Sequence, residues 1–441
     1  MIHDQAYQWV VSQVECATPF GQELVRRPRW YAPGDEGELQ AEFDRLEQVL
    51  GWENTGTVVH ELAQLRDIRR CFDREHGGAM DVVELFEIKH FLLHLVRIME
   101  QYPNTLPGVE LTGMEDMLTL LDPSGRRLPP FSVENTFDPA LESIRAEKDA
   151  APDEVRRQEL VRREQEVELQ VRRRLTDALL REKGRFLDNM AALGRLDWLI
   201  AKAGLVLKYR CSRPEVSSGG VVVEDMIHPQ VEAILRQSGL LFTPVSLLLE
   251  RGATVITGAN MGGKSVSLQA VVLNLRLMHT GYFVFADCMS APLFHAVEMI
   301  GADAQSPQRG LSSFGAEMKG LDEVLKRERG HLFFLALDEF ARGTNPAEGG
   351  ALARALVEYL NGLDCVAVLA THYDGVSAAA RRHYRVAGLE EGVKGSLEDL
   401  PRLMDYSLVL TDPDAPCPRD AAAVCRMLDL EEDFVSALLD R

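Results

Sequence analysis

The run Gly258-Ala259-Asn260-Met261-Gly262-Gly263-Lys264-Ser265 has the spacing G-x-x-x-x-G-K-[ST]. Glycines at these positions let successive backbone N–H groups curl toward one point, and a helix starting at Ser265 aims its positive end there too. The chemistry implied is a phosphate cradle, with Lys264 reaching the outer phosphates and the Ser265 hydroxyl placed to ligate Mg²⁺. A second constellation, Asp338-Glu339, follows six apolar residues, Leu332 to Leu337. Carboxylates at the end of a buried strand sit where open α/β sheets bind ligands. Asp338 is expected to hold the metal, usually through water, and Glu339 to polarise a water attacking a γ-phosphate. His372, just after the apolar run Val366 to Ala370, is expected at the same sheet edge, where it could sense that phosphate.

Elements must carry these residues to one place. Ala253 to Thr257, Tyr282 to Ala286, Leu332 to Leu337 and Val366 to Ala370 read as buried strands separated by helix-length stretches. That alternation predicts a mostly parallel sheet flanked by helices. The half before Ser217-Ser218-Gly219-Gly220, read as a flexible joint, is helical in pattern. From Asp81 to Glu100, apolar Leu85, Ile88, Leu92 and Leu95 recur at three- and four-residue steps. Asp138-Pro139 reads as an N-cap followed by a first-turn proline, and Pro152 as the end of that helix. From Asp153 to about Gly204 no proline interrupts the chain, which predicts an arm of roughly 70 Å if continuous. Ten basic residues face eight acidic ones between Asp153 and Arg185, a mixed pattern typical of a solvated helix hairpin.

Bulk properties narrow the partners. With 441 residues there is room for two or three domains, and a net charge of −20 with 46% hydrophobic residues argues against a chain that coats nucleic acid by charge alone. Any contact with DNA must be local. No apolar run approaches the length of a membrane span, and the start lacks the pattern of a secretory signal, so a cytoplasmic protein is expected. The seven cysteines are scattered without C-x-x-C spacing and are expected to be reduced thiols.

The stretches Thr257 to Ser265, Leu337-Asp338-Glu339-Phe340-Ala341-Arg342-Gly343-Thr344 and Ala370-Thr371-His372-Tyr373 resemble the ATPase domain of the MutS family of DNA mismatch repair proteins, within the ABC ATPase superfamily. Leu311 to Met318 resembles the family's signature stretch, which implies that Ser312 reaches across a dimer interface to the partner's γ-phosphate. Phe242 resembles the aromatic that stacks on adenine. Thr18-Pro19-Phe20-Gly21, Glu84 to Lys89 and Leu196-Asp197 through Arg213-Pro214-Glu215 look like the core and lever helices. The resemblance thus implies an α/β P-loop NTPase of ABC type preceded by an all-α core and lever domain. Residues 1–216 would form the helical domain, with a short clamp-like arm at about 138–204, and 217–441 the ATPase domain with a helical tail from Asp420. Catalytic roles fall to Glu339, His372 and Ser312. Nucleotide contacts fall to Gly258, Asn260, Met261, Gly262, Gly263, Lys264, Ser265 and Phe242, and metal contacts to Ser265 and Asp338. ATP and Mg²⁺ are the implied cofactors.

Departures from the family pattern accompany the matches. The sequence is expected to start in the core without the mismatch-reading and connector domains, and no nuclease-like module is expected after the ATPase. Asp287 stands nearest the position of a Q-loop glutamine. Two functions share this engine. One is a dimer, with itself or a close relative, that clamps double-stranded or branched DNA. The other is an ATP-driven factor that remodels a protein client, such as a reactivating factor for a cobalamin-dependent lysine aminomutase. A P-loop metabolic kinase would leave Ser312 and His372 without a role.

Overall fold

The computed structural model describes residues 4–53, 55–73, 78–102, 106–258, 262–301, 313–389 and 400–417. They fall into two compact units, one comprising 14–28 and 45–204, the other 1–13, 29–44 and 205–441.

The first unit contains helices and no strand among its described residues. Its spine is the helix Val82–Gln101. Asp81 caps it by accepting from the Glu84 N–H at 2.8 Å, while the Glu84 carboxylate accepts from the Asp81 N–H at 2.8 Å. The periodic Leu85, Ile88, Leu92 and Leu95 are buried, as the spacing predicts. Phe186 packs its ring 4.9 Å from Phe72 and 6.2 Å from Phe91. Thr18 to Gly21 and Asp197, far apart in sequence, meet: the Asp197 carboxylate accepts from Ala17 N–H at 3.0 Å and from the Thr18 N–H and hydroxyl, each at 2.7 Å.

Asp138 caps the helix Pro139–Asp149, which pairs with Glu154–Arg181. Arg145 joins them by donating to Glu164 at 2.7 Å and Glu168 at 2.8 Å, and Lys148 also pairs with Glu164. The arm is not continuous to Gly204. Its first helix ends at Arg181 and a second runs Lys183–Tyr209. At the break the Glu182 N–H bonds to Leu179 O, a tightened last turn, and Gly184 follows with poor helix propensity.

The second unit holds two sheets. Their strands are β1 (Glu215–Val216), β2 (Val221–Met226), β3 (Val245–Leu249), β4 (Gly252–Thr257), β5 (Cys288–Ala291), β6 (Val297–Ile300), β7 (Phe333–Asp338), β8 (Cys365–Thr371), β9 (Arg382–Leu389) and β10 (Met404–Thr411). A six-stranded sheet has the order β10-β9-β4-β8-β7-β6, parallel except for β10. Strands β4, β7 and β8 are apolar along their length because both faces are covered. Val255, Leu335 and Leu369, for example, share a core with Ala353, Val357 and Leu360 of the helix Pro346–Leu360. In register, Thr257 pairs with Thr371 and Asp338 with Ala370, so the carboxyl ends of β4, β8 and β7 lie level.

A second, four-stranded sheet, β1-β5-β2-β3, is not foreshadowed by the sequence pattern. Two expectations fail around it. Tyr282 to Ala286 is buried but not a strand: it touches sheet structure only through an isolated bridge between Val284 and Ser212, and its burial comes from packing under the Lys264–His279 helix end. Ser217 to Gly220 is a packed turn between β1 and β2 and not a loose joint. The Ser217 N–H bonds Ala291 O at 2.9 Å, and a Cβ on Gly220 would collide with the Leu249 carbonyl.

Residues near the start of the chain stitch onto this unit. Tyr7 donates to Thr280 Oγ1 at 3.1 Å, and the Tyr31 N–H bonds His279 O at 2.8 Å. His279 is fully buried against Trp30, with ring centroids 4.4 Å apart. Its Nδ1–H donates to Tyr31 O at 2.7 Å, and its Nε2 accepts from the Phe294 N–H at 3.3 Å. A proton on Nε2 would face that N–H, so only the neutral ring fits. Among the described residues no helix is long and apolar enough to cross a membrane, and the described cysteines are free thiols.

Burial pushes the His279 imidazole down to about 4. The unfolded chain therefore takes up this proton first as pH falls, so the full stability present above about 6.5 declines toward pH 4, by about 3 kcal/mol in the limit. Urea unfolding is expected to show about 2 kcal/mol of that loss between pH 7 and pH 5, and a His279→Gln variant a shallower dependence on pH.

Candidate functional site

The site is assembled at the carboxyl edge of β4, β8 and β7. After Thr257 the chain leaves the sheet at Gly258, whose φ of +155° and contact with Val386 leave no place for a side chain: a Cβ there would lie 2.9 Å from that residue. It returns at Gly263, in the left-handed region at φ +79°, which caps the helix Lys264–His279. Here a Cβ would meet the Tyr406 ring at 3.0 Å, so both glycines are dictated by conformation and by space.

Lys264 is buried, and its Nζ donates to Gly258 O at 2.7 Å across the mouth of the loop. The Ser265 hydroxyl donates to Asp338 Oδ1 at 2.9 Å. That separation matches the roughly 3 Å between adjacent oxygens around an octahedral Mg²⁺ with bonds of about 2.1 Å. Two hard oxygen donors, a buried ammonium and a helix N-terminus thus converge, the donor set that Mg²⁺ and a phosphate require.

Beyond Asp338 the backbone is bent sharply. Glu339 (φ +50°) and Ala341 (φ +63°) occupy left-handed conformations that non-glycine residues adopt at a cost of about 1–2 kcal/mol each. Neighbours hold the bend from several sides. The Glu339 N–H bonds Ala370 O at 3.0 Å, the Ala341 N–H donates to the Glu317 carboxylate at 3.1 Å, and the Tyr373 hydroxyl donates to Ala341 O at 3.1 Å. Burial raises the Glu317 carboxyl above its ordinary range, opposed by that N–H. Arg342 grips Glu339 Oε2 at 2.6 Å.

A cavity of about 1430 Å³ opens beside these groups and is lined by Lys264, Ser265, Asp338, Glu339 and Arg342 together with Phe242 and His228. Phe242 therefore faces the same space as the glycine-rich loop. His228 caps the helix Pro229–Gln237 through Nδ1, which accepts from the Val231 N–H at 3.4 Å. The proton of the neutral ring then sits on Nε2, and that atom is buried without a hydrogen-bond partner.

Not every expected residue joins the cluster. His372 lies just past β8, exposed, with its ring 4.5 Å from Tyr373, and it does not line the cavity. Asp287 is exposed, its N–H bonded to Glu224 O at 3.0 Å, and it too is absent from the cavity wall. Asn260, Met261 and Ser312 lie outside the described residues, as does the tail from Asp420. Sequence reasoning missed Glu317, Arg342 as the clamp on Glu339, and His228. Only His228 carried a local signal, as a side chain able to cap a helix whose first residue is Pro229.

Residues 254–408 match the family model for MutS domain V. An endonuclease MutS2 from Ruminiclostridium cellulolyticum is 30% identical over 253 residues, which cover 56% of this chain and 30% of that protein. The endonuclease MutS2 of Caldanaerobacter subterraneus subsp. tengcongensis is 30% identical over 252 residues, with the same coverage. A DNA mismatch repair protein MutS from Natronomonas pharaonis is 30% identical over 250 residues, 54% of this chain and 29% of that protein. The chain spans less than a third of the length of these relatives.

Removing the hydroxyl that braces the bend has a calculable cost. Tyr373→Phe is expected to lower stability by about 0.5–1.5 kcal/mol, the worth of one hydrogen bond, measured by denaturant unfolding.

Proposed function

We propose, from the premise that residues 254–408 are a MutS-family domain V, that this protein is an ATPase of P-loop, ABC type. Residues 217–441 would form the ATPase domain, and 1–216 a helical core and lever domain with a clamp-like arm at about 138–204. The observation that carries the reading is the Ser265–Asp338 hydrogen bond of 2.9 Å at a helix N-terminus beside a cavity large enough to admit a nucleotide. Few other activities call for a hydroxyl and a carboxylate at that spacing beside a buried lysine.

In this reading Ser265 and Asp338 hold Mg²⁺, which when bound neutralises phosphate charge. Lys264 exchanges the Gly258 carbonyl for an outer phosphate oxygen, and Gly258, Gly262 and Gly263 keep the approach clear, with Asn260 and Met261 completing the loop. Phe242 stacks on the base. Glu339, once released by Arg342, orients the attacking water, and His372, outside the cavity wall in this structure, would have to turn toward the γ-phosphate to sense it. Ser312 is supplied to the partner's site, so each composite site needs two copies of this chain or a close relative, related by a two-fold axis. Closure on ATP would move the helical levers.

The relatives' names, DNA mismatch repair protein and endonuclease, support an association with DNA, which in this reading is double-stranded or branched DNA met in the cytoplasm. One observation favours the second reading, a protein client such as a cobalamin-dependent aminomutase. Along the arm Arg145, Lys148, Arg156, Arg157 and Arg174 are each engaged by acidic side chains of the same unit, which leaves less charge for phosphates.

Lys264→Ala is expected to weaken ATP binding by at least about tenfold, the worth of a charge-assisted hydrogen bond. Glu339→Gln should bind ATP with native affinity while kcat falls by about 10²–10⁴. Equilibrium binding and phosphate-release assays separate the two effects. Native hydrolysis by purified Glu339→Gln would overturn the assignment.

A further inference from the structure

We propose that His295, Glu328 and His331 form a second metal site, one for a transition-metal dication of the Zn²⁺, Co²⁺ or Ni²⁺ class. One ligand atom from each lies within 4.8 Å of the other two. Two come from one turn and the third from a distant segment of the second unit. Glu328 immediately follows the helix Ser313–Arg327, His295 precedes β6, and His331 precedes β7. Both histidines therefore sit at the amino edge of the parallel sheet. Asp338 ends β7 at the opposite edge, about 16 Å away along five residue steps.

Backbone bonds hold the three donors in place before any ion arrives. The His295 N–H bonds Leu332 O at 2.7 Å, and the His331 N–H bonds Glu328 O at 3.0 Å. The two imidazoles are stacked nearly parallel, with centroids 4.2 Å apart and 11° between planes. Stacked in this way, neither ring offers its N–H to the other. Glu328 is buried, with its Oε2 2.6 Å from His295 Nδ1. An ionised carboxylate beside two imidazoles is the donor set of three-ligand zinc sites that keep one position open. Bonds of about 2.0–2.1 Å would place neighbouring donors about 3.3 Å apart, so the rings must turn slightly. They can, because both histidines are exposed.

Charge around the cluster also permits a cation. Arg327 donates to Glu328 Oε1, but Glu298 in turn pairs with Arg327, so two carboxylates face one guanidinium. The other close histidine pair compares poorly. His90 and His94 approach to 3.2 Å between Nε2 atoms, yet the neighbouring Glu61 carboxylate bonds His94 Nδ1 at 2.6 Å, on the far side of that ring from His90, and burial together with His94, Arg66 and Arg97 disfavours positive charge on His90. A metal at the first cluster would tie the end of the helix Ser313–Arg327 to the entries of β6 and β7.

The test titrates the full chain, stripped with a chelator, with Zn²⁺ by calorimetry and with Co²⁺ by visible absorption. One equivalent is expected, with a nitrogen- and oxygen-ligated Co²⁺ spectrum lacking the intense thiolate band, and a rise in Tm. The doubly substituted His295→Ala, His331→Ala chain, altered only at exposed side chains, is expected to fold, to lose that equivalent and to show no Tm rise. Single substitutions should weaken binding by at least about tenfold. Absence of the equivalent in the native chain, or equal affinity in the double variant, would overturn the proposal.

Discussion

A hydroxyl on a helix and a carboxylate on a strand 73 residues later can meet at 2.9 Å only if every intervening element arrives in register. Strand β4 must end level with β8, and β8 level with β7, which the parallel pairings Thr257 with Thr371 and Asp338 with Ala370 secure. Glycine must then turn the chain out of β4 and into the helix without side chains in the way. The apolar character of these strands follows from the same requirement. A parallel sheet covered on both faces buries its central strands, and the buried strands in turn deliver polar residues only at their ends.

Rigid burial below the site contrasts with backbone strain above it. Left-handed Glu339 and Ala341 are held by Ala370, Glu317 and Tyr373, partners drawn from β8, the helix Ser313–Arg327 and the segment after β8. Strain of this sort persists only where surroundings overdetermine it, and it fixes the direction of the Glu339 carboxylate. Arg342 then holds that carboxylate in reserve. In the proposed ATPase this pairing is a natural control point, since the base must be released before it can act.

Sequence legibility followed the range of the interactions concerned. The glycine-rich pattern, the helix that follows it, Asp338 at the end of β7 and the Asp138 cap were readable because each depends on neighbours a few residues away. The second sheet was not, because β1 has two residues and β5 only four, too short for a periodic signal. Tyr282 to Ala286 shows the complementary error: an apolar run reports burial, not strand geometry. The attachment of Tyr7 and Tyr31 to the second unit rests on single contacts at long sequence separation, and no local pattern encodes those. Glu317 was hidden for the same reason, as its partner Ala341 is 24 residues away.

A crystal structure with a non-hydrolysable ATP analogue and Mg²⁺ would test the central claim most directly. The account predicts phosphates at the N-terminus of the helix Lys264–His279, with the metal ligated by Ser265 and held by Asp338 directly or through water, and the base against Phe242. Nucleotide bound elsewhere, or a metal out of reach of both Ser265 and Asp338, would contradict it.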